Sequence, residues 1–186
     1  MNLPNKLSLF RIVLVPVMLV FYYLAVWTSF IIFTDYLLLA PIFIIASLTD
    51  FADGYIARKY NMVTVFGKFI DPLADKLIVL VALLILNDVQ LIPIWVTVVI
   101  LSREFIVTGI RLIAVQEGNV IAASSLGKYK TATTMIGIIS LFLSFYFLRD
   151  VFELLGLIFI YIGTLLTIVS GVDYFIKNKA SLLKSK

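Results

Sequence analysis

The 186 residues include no cysteine and no histidine. Without cysteine there are no disulfides, no thiolate metal ligands and no thiol nucleophile. Without histidine there is no imidazole base, no histidine-bound metal and no phosphoryl transfer through a histidine. Any metal site must be built from oxygen, which suits hard ions such as Mg2+ or Mn2+. General base chemistry falls to a carboxylate or a lysine. Charge is also scarce. Charged residues make up 14% of the chain against 62% hydrophobic ones, with a mean hydropathy of +1.12. A soluble domain is about half apolar, so this composition belongs in a membrane and leaves no room for a large soluble domain. No nucleic-acid partner is expected.

What is present is a series of long apolar runs. A helix needs ~20 residues to cross a bilayer, and six segments qualify as expected spans: 8–27, 34–57, 68–87, 91–115, 128–148 and 152–175. The expectation is an all-α, six-transmembrane-helix bundle forming one membrane domain over residues 1–186, with a basic, frayed tail from about 177 to 186. The opening run carries Lys6 and Arg11 and has the outline of a signal peptide. No A-x-A-like cleavage site follows it, so it is expected to stay as a helix. An even number of crossings puts both termini on one side. That side then holds fourteen of the fifteen Lys and Arg residues, and the other only Arg149. By the positive-inside rule the termini are expected in the cytoplasm, in a multi-pass protein of the cytoplasmic membrane. Pro16 and Pro41 are expected to kink their helices. Tyr22, Tyr23, Trp27, Trp95 and Tyr146 are expected to face lipid or its interface.

Two carboxylate pairs interrupt the apolar pattern. Asp50 and Asp53 are three apart, Asp71 and Asp75 four apart, and both spacings put the side chains on one helix face. All four fall near the cytoplasmic ends of their helices. Asp50 lies roughly a third of the way into a ~30 Å hydrocarbon core. One such pair alone reads as a solvated helix end or a partner for Lys59 or Lys76. Four together repel one another, so either a cation compensates them or some are protonated; two divalent ions would neutralise all four charges. Gly54, Ala57 and Gly67 beside them permit close approach of a ligand or a helix. Arg58 supplies a donor fork suited to phosphate. Acids, metals and an arginine describe a site for a phosphate or pyrophosphate ester.

The stretch "DFADGYIARKYNMVTVFGKFIDPLAD" (50–75) matches the signature D-x2-D-G-x2-A-R-x8-G-x3-D-x3-D at every fixed position. In this it resembles the CDP-alcohol phosphotransferase family, and the resemblance extends over the whole chain. It implies that Asp50, Asp53 and Asp71 bind two divalent ions, Mg2+ or Mn2+, that hold a CDP-linked pyrophosphate. By the same resemblance, Asp75 is expected to complete the metal site and to serve as general base on the acceptor hydroxyl, and Gly54, Ala57, Arg58 and Gly67 to shape the nucleotide pocket. A homodimer is also implied.

Three further stretches resemble the branch of the family that joins CDP-diacylglycerol to glycerol 3-phosphate. "NLPNKLSLFRIVLVP" matches N-x2-T-x2-R-x4-P through Asn5, Arg11 and Pro16, with Ser8 in place of the usual threonine. Asn5 and Ser8 then belong to the donor site. "SREFIVTGIR" (102–111) resembles an R-E-x6-R segment, and "GKYKTATTMIG" (127–137) a G-K-x-K-T segment. Arg103, Arg111, Lys128 and Lys130 are accordingly expected at the acceptor phosphate. Alternatively, Arg103 pairs with a site carboxylate and the lysines face headgroups. Glu104 reads as a structural partner for a nearby cation. Two rivals remain at this point. One is a sister enzyme with inositol phosphate, serine or phosphatidylglycerol as acceptor. The other is a cation or proton transporter, which gives no reason for Gly54, Ala57, Arg58 and Gly67 at their spacing.

Overall fold

The computed structural model describes residues 2–28, 35–60, 64–116 and 125–183. It is all-helical over these residues: α1 (Leu3–Thr28), α2 (Leu39–Lys59), α3 (Val65–Asp88), α4 (Ile94–Gln116), α5 (Ser125–Leu143) and α6 (Arg149–Leu183), with a single 3-10 turn at Asp35–Leu38. Among the described residues, three helices are long and apolar enough to cross a membrane, over Leu3–Trp27, Leu39–Ile56 and Arg149–Ile176. The apolar runs of α3, α4 and α5 are broken by Asp71, Asp75 and Lys76, by Arg103, Glu104 and Arg111, and by Lys128 and Lys130. These three helices are thus the ones that carry most of the candidate site charges.

The helices assemble in two groups. α1 packs on α2 and α3, while α6 packs on α5 and α4. One apolar core joins the groups, with Met18, Phe43, Leu83, Leu86, Ile138, Leu141, Phe142 and Ile160 at its centre. The ring of Phe43 on α2 meets that of Phe142 on α5 edge to face, with centroids 6.1 Å apart, a favoured aromatic geometry. α5 and α6 come closest where glycine removes the side chain. A Cβ on Gly137 would lie 2.8 Å from Ile160 Cγ1, and one on Gly156 would lie 2.6 Å from Leu141 Cγ. Small residues at such a seam let two backbones approach without a water-driven hydrophobic force.

Several expectations change. α1 begins at Leu3, which brings Asn5, Ser8 and Arg11 onto a helix. α5 ends at Leu143, five residues early, and Leu148 turns the chain with φ 32°. α6 runs on to Leu183, so the tail is helical through that residue rather than frayed. Pro41 falls in the first turn of α2, where a missing N–H breaks no helical bond. Tyr22 does not face lipid: it is 4% exposed, and its hydroxyl donates to the Asp88 carboxylate at the end of α3. Trp27 and Tyr23 are exposed, as expected.

Candidate active site

The first turns of α1 meet the carboxylates of α2 and α3. Asn5, Ser8 and Arg11 recur every three residues, so they share one helix face. All three are buried. The Arg11 guanidinium lies among the acids: Nη1 is 2.6 Å from Asp50 Oδ1, and it also pairs with Asp75 on α3 through Nη1 and with Asp53 on α2 through Nη2. Ser8 Oγ contacts Asp71 and lies 3.5 Å from Asp53 Oδ2. All four signature aspartates are therefore gathered by two side chains of α1.

Asn5 serves the same junction. Thr64, the N-cap of α3, accepts the Gly67 N–H at 2.9 Å, and its hydroxyl donates to Asn5 Oδ1 at 3.0 Å. A side-chain oxygen at this position satisfies one of the helix's free N–H groups. A Cβ on Gly67 would lie 2.8 Å from Asn5 Oδ1, so any larger residue here would displace the Asn5 side chain. The signature glycine therefore lets α1 close on α3 beside Asp71. Gly54 follows Asp53 on α2 and is half-buried. The side chains of Ala57 and Arg58 lie outside the described residues.

A cavity of about 450 Å3 opens beside this junction, within the usual range for small-ligand sites. Its lining carries both signs of charge: Asp50, Asp71 and Asp75, which are held by Arg11 and Ser8, and Lys76, Arg103, Arg111 and Lys130. Glu104 lies among the cations, 3.3 Å from Arg103 Nη1 and paired with Lys130, which is the structural pairing expected of it. Arg103 thus pairs with Glu104 rather than with a signature aspartate. The Nε atoms of Arg103 and Arg111 are buried without a hydrogen-bond partner, so both guanidinium groups hold unused donors. Lys128 is exposed and does not line the cavity. Lys76 and Thr108 do line it, and the Lys76 ammonium donates to the Thr108 hydroxyl. From the sequence, Lys76 is expected only as an ion-pair partner. Its position directly after Asp75 was the available signal.

Among the described residues, no three acid side chains stand as a ready metal cage; Arg11 lies between them instead. The donor chemistry does fit a hard divalent ion. The ligands on offer are all carboxylates, and the Arg11 and Ser8 contacts use a single oxygen of each aspartate. A second oxygen on each is not used by these contacts.

The sequence model of the CDP-alcohol phosphatidyltransferase family matches residues 1–169. The chain belongs to this family. Its relatives agree over nearly their whole length. It is 44% identical to the CDP-diacylglycerol--glycerol-3-phosphate 3-phosphatidyltransferase of Bacillus subtilis, across 99% of this chain and 98% of the relative. The proteins of the same name from Rickettsia bellii and Haemophilus influenzae are 40% and 36% identical. Those alignments cover 94% and 98% of this chain, and 93% and 96% of the relatives. As a CDP-alcohol phosphatidyltransferase family member with three membrane-length apolar helices, the protein is a membrane transferase.

Proposed function

We propose that the protein transfers a phosphatidyl group from CDP-diacylglycerol to glycerol 3-phosphate, releasing CMP and forming phosphatidylglycerophosphate. The observation that carries this reading is the mixed charge of the cavity. Three of the four signature aspartates line it, and so do four cations. An anionic acceptor and a pyrophosphate donor both need compensating charge, which the cations supply directly and the carboxylates supply as metal ligands.

In this mechanism Arg103, Arg111 and Lys130, with Lys76 beside them, hold the acceptor phosphate. Guanidinium groups suit it because their fork matches two phosphate oxygens. Asp75 takes the proton from the acceptor hydroxyl. The freed oxygen attacks the phosphorus that carries the diacylglycerol. A new P–O bond forms, the bond to the CMP phosphate breaks, and CMP departs with its electron pair. Asp50, Asp53, Asp71 and Asp75 would hold two divalent ions, Mg2+ or Mn2+, which supply positive charge to the donor pyrophosphate when bound. Asn5 and Gly67 fix α1 against α3, Ser8 holds Asp71, and Gly54, Ala57 and Arg58 complete the donor site along α2.

The topology belongs to the same proposal. α3, α4 and α5 cross the membrane alongside the three apolar helices, with their charges turned into the bundle, as is usual for intramembrane ionisable groups. Both termini and the cavity mouth face the cytoplasm, and two copies form a homodimer. The cysteine-free chain suits thiol mapping. A membrane-impermeant maleimide added to intact cells should label Arg149→Cys but not Lys6→Cys, and the reverse pattern would invert the topology. Light scattering of the detergent-solubilised protein should give the mass of two chains.

The deciding experiment gives purified protein CDP-diacylglycerol with glycerol 3-phosphate, inositol phosphate, serine or phosphatidylglycerol, and reads lipid products by mass spectrometry. Product should form with glycerol 3-phosphate, stop in EDTA, and be lost in Asp75→Asn. Product from another acceptor alone would select a sister enzyme, and full activity of Asp75→Asn would remove its role as base.

A further inference from the structure

Behind the two α4 arginines that line the cavity lies a stretch of α6 that none of the quoted motifs includes. Arg103, Val107, Ile110 and Arg111 lie along one face of α4 at spacings of four, three and one. That face packs on the last third of α6. Val107, Ile110 and Tyr174 form a small apolar cluster of their own, separate from the main core. Tyr174 is 3% exposed. Its ring lies beneath the Arg111 guanidinium, 5.5 Å from centroid to Cζ, within cation–π range. One turn earlier, Gly171 faces Arg103: a Cβ there would lie 3.1 Å from Arg103 Cγ, tighter than an ordinary contact. Two positions on one face of α6 therefore seat the two arginines of the acceptor site, one by a ring and the other by the lack of a side chain.

We infer that the Gly171–Tyr174 turn of α6 is a positioning element that sets where Arg103 and Arg111 present their donors to the acceptor phosphate. The inference rests on the acceptor-site reading above and adds the residues that make it accurate. A long arginine side chain has many rotamers, and holding it in one before the ligand arrives removes that ordering cost from binding. The aromatic face fixes the plane of the Arg111 guanidinium, and with it the direction of its fork. The bare Gly171 backbone leaves the Arg103 stem a groove to lie in. Neither residue touches the reacting atoms, so the expected signature is in acceptor KM and not in the chemical step.

The test compares Tyr174→Leu, Tyr174→Phe, Gly171→Ala, Arg103→Gln and Arg111→Gln in the full-length protein in detergent–lipid micelles. Initial rates are measured with each substrate varied, and thermal midpoints are recorded alongside. Tyr174→Leu should raise KM for glycerol 3-phosphate about ten-fold while KM for CDP-diacylglycerol and kcat stay within two-fold. Tyr174→Phe keeps the ring and should restore acceptor KM. Gly171→Ala should raise acceptor KM through Arg103 in a protein whose Arg111 seat is intact. If Arg111→Gln raises acceptor KM while Tyr174→Leu and Gly171→Ala leave it unchanged, the positioning role is overturned and the acceptor site stands. If neither arginine variant changes acceptor KM, both fall together. A loss of kcat and of both KM values in step with the thermal midpoint makes Tyr174 a packing residue only, which also overturns the inference.

Discussion

Replacing Arg11 with glutamine removes the cation that links α1 to three signature aspartates. Arg11 is fully buried, and the Asp53 side chain is 5% exposed, so this pair has almost no water to fall back on. Asp50 and Asp75 are 35% and 36% exposed, and solvent will compensate most of what they lose. The cost is therefore dominated by Asp53. Removing one partner of a buried ion pair costs about 3–5 kcal/mol. For a chain of this size that corresponds to a fall of roughly 10 °C in thermal midpoint. Divalent ions that bind the same carboxylates should recover part of it, about 2.7 kcal/mol at one hundred times the dissociation constant. The assay is thermal unfolding in detergent, in EDTA and in saturating Mg2+ or Mn2+. In EDTA the variant should unfold well below wild type, and metal should raise its midpoint more than it raises that of wild type. Arg11→Lys keeps the charge but loses the fork, so it should fall between the two. A variant that matches wild type within about 2 °C in EDTA would refute the view that Arg11 holds the acids together.

Three other outcomes can be checked. Gly67→Ala forces a Cβ to within 2.8 Å of Asn5 Oδ1; activity should fall by at least ten-fold because α1 and Ser8 move away from Asp71, and Asn5→Ala in the same chain should recover part of it. Lys130→Ala should raise KM for glycerol 3-phosphate, whereas the exposed Lys128→Ala should leave it within two-fold, as read by steady-state kinetics. Gly137→Ala sets a methyl 2.9 Å from the Ile160 backbone nitrogen; overpacking of this kind costs about 1–3 kcal/mol, visible as a lower thermal midpoint with unchanged specific activity of the folded fraction.

Much of the site could be read directly from the chain because its signals are local. Asp50 with Asp53, and Asp71 with Asp75, share a helix face at any tertiary arrangement, since helical periodicity alone puts them there. The glycine spacing and the basic segments are equally local. Arg11 was legible as part of a motif but not as the hub of the acids, because its partners lie 39, 42 and 64 residues away. Lys128 and Lys130 looked equivalent as neighbours in one motif. On a helix they differ by about 200° in direction, and the packing of α5 decides which one faces the cavity. Tyr22 carried no sign that it would turn inward to Asp88 at the far end of α3.

Composition and apolar runs determined that the chain is helical and belongs in a membrane, because a bilayer core admits few alternatives for a backbone that must satisfy its own hydrogen bonds. The signature determined which acids share a face. Only the tertiary structure decided that α1 closes over those acids through Ser8 and Arg11, that α3, α4 and α5 bring Asp71, Asp75, Lys76, Arg103, Arg111 and Lys130 to one cavity, and that α6 backs its arginines. Those arrangements depend on contacts between helices distant in sequence. There the choice of inward face is made by packing against a neighbour, which the periodicity of a single helix does not contain.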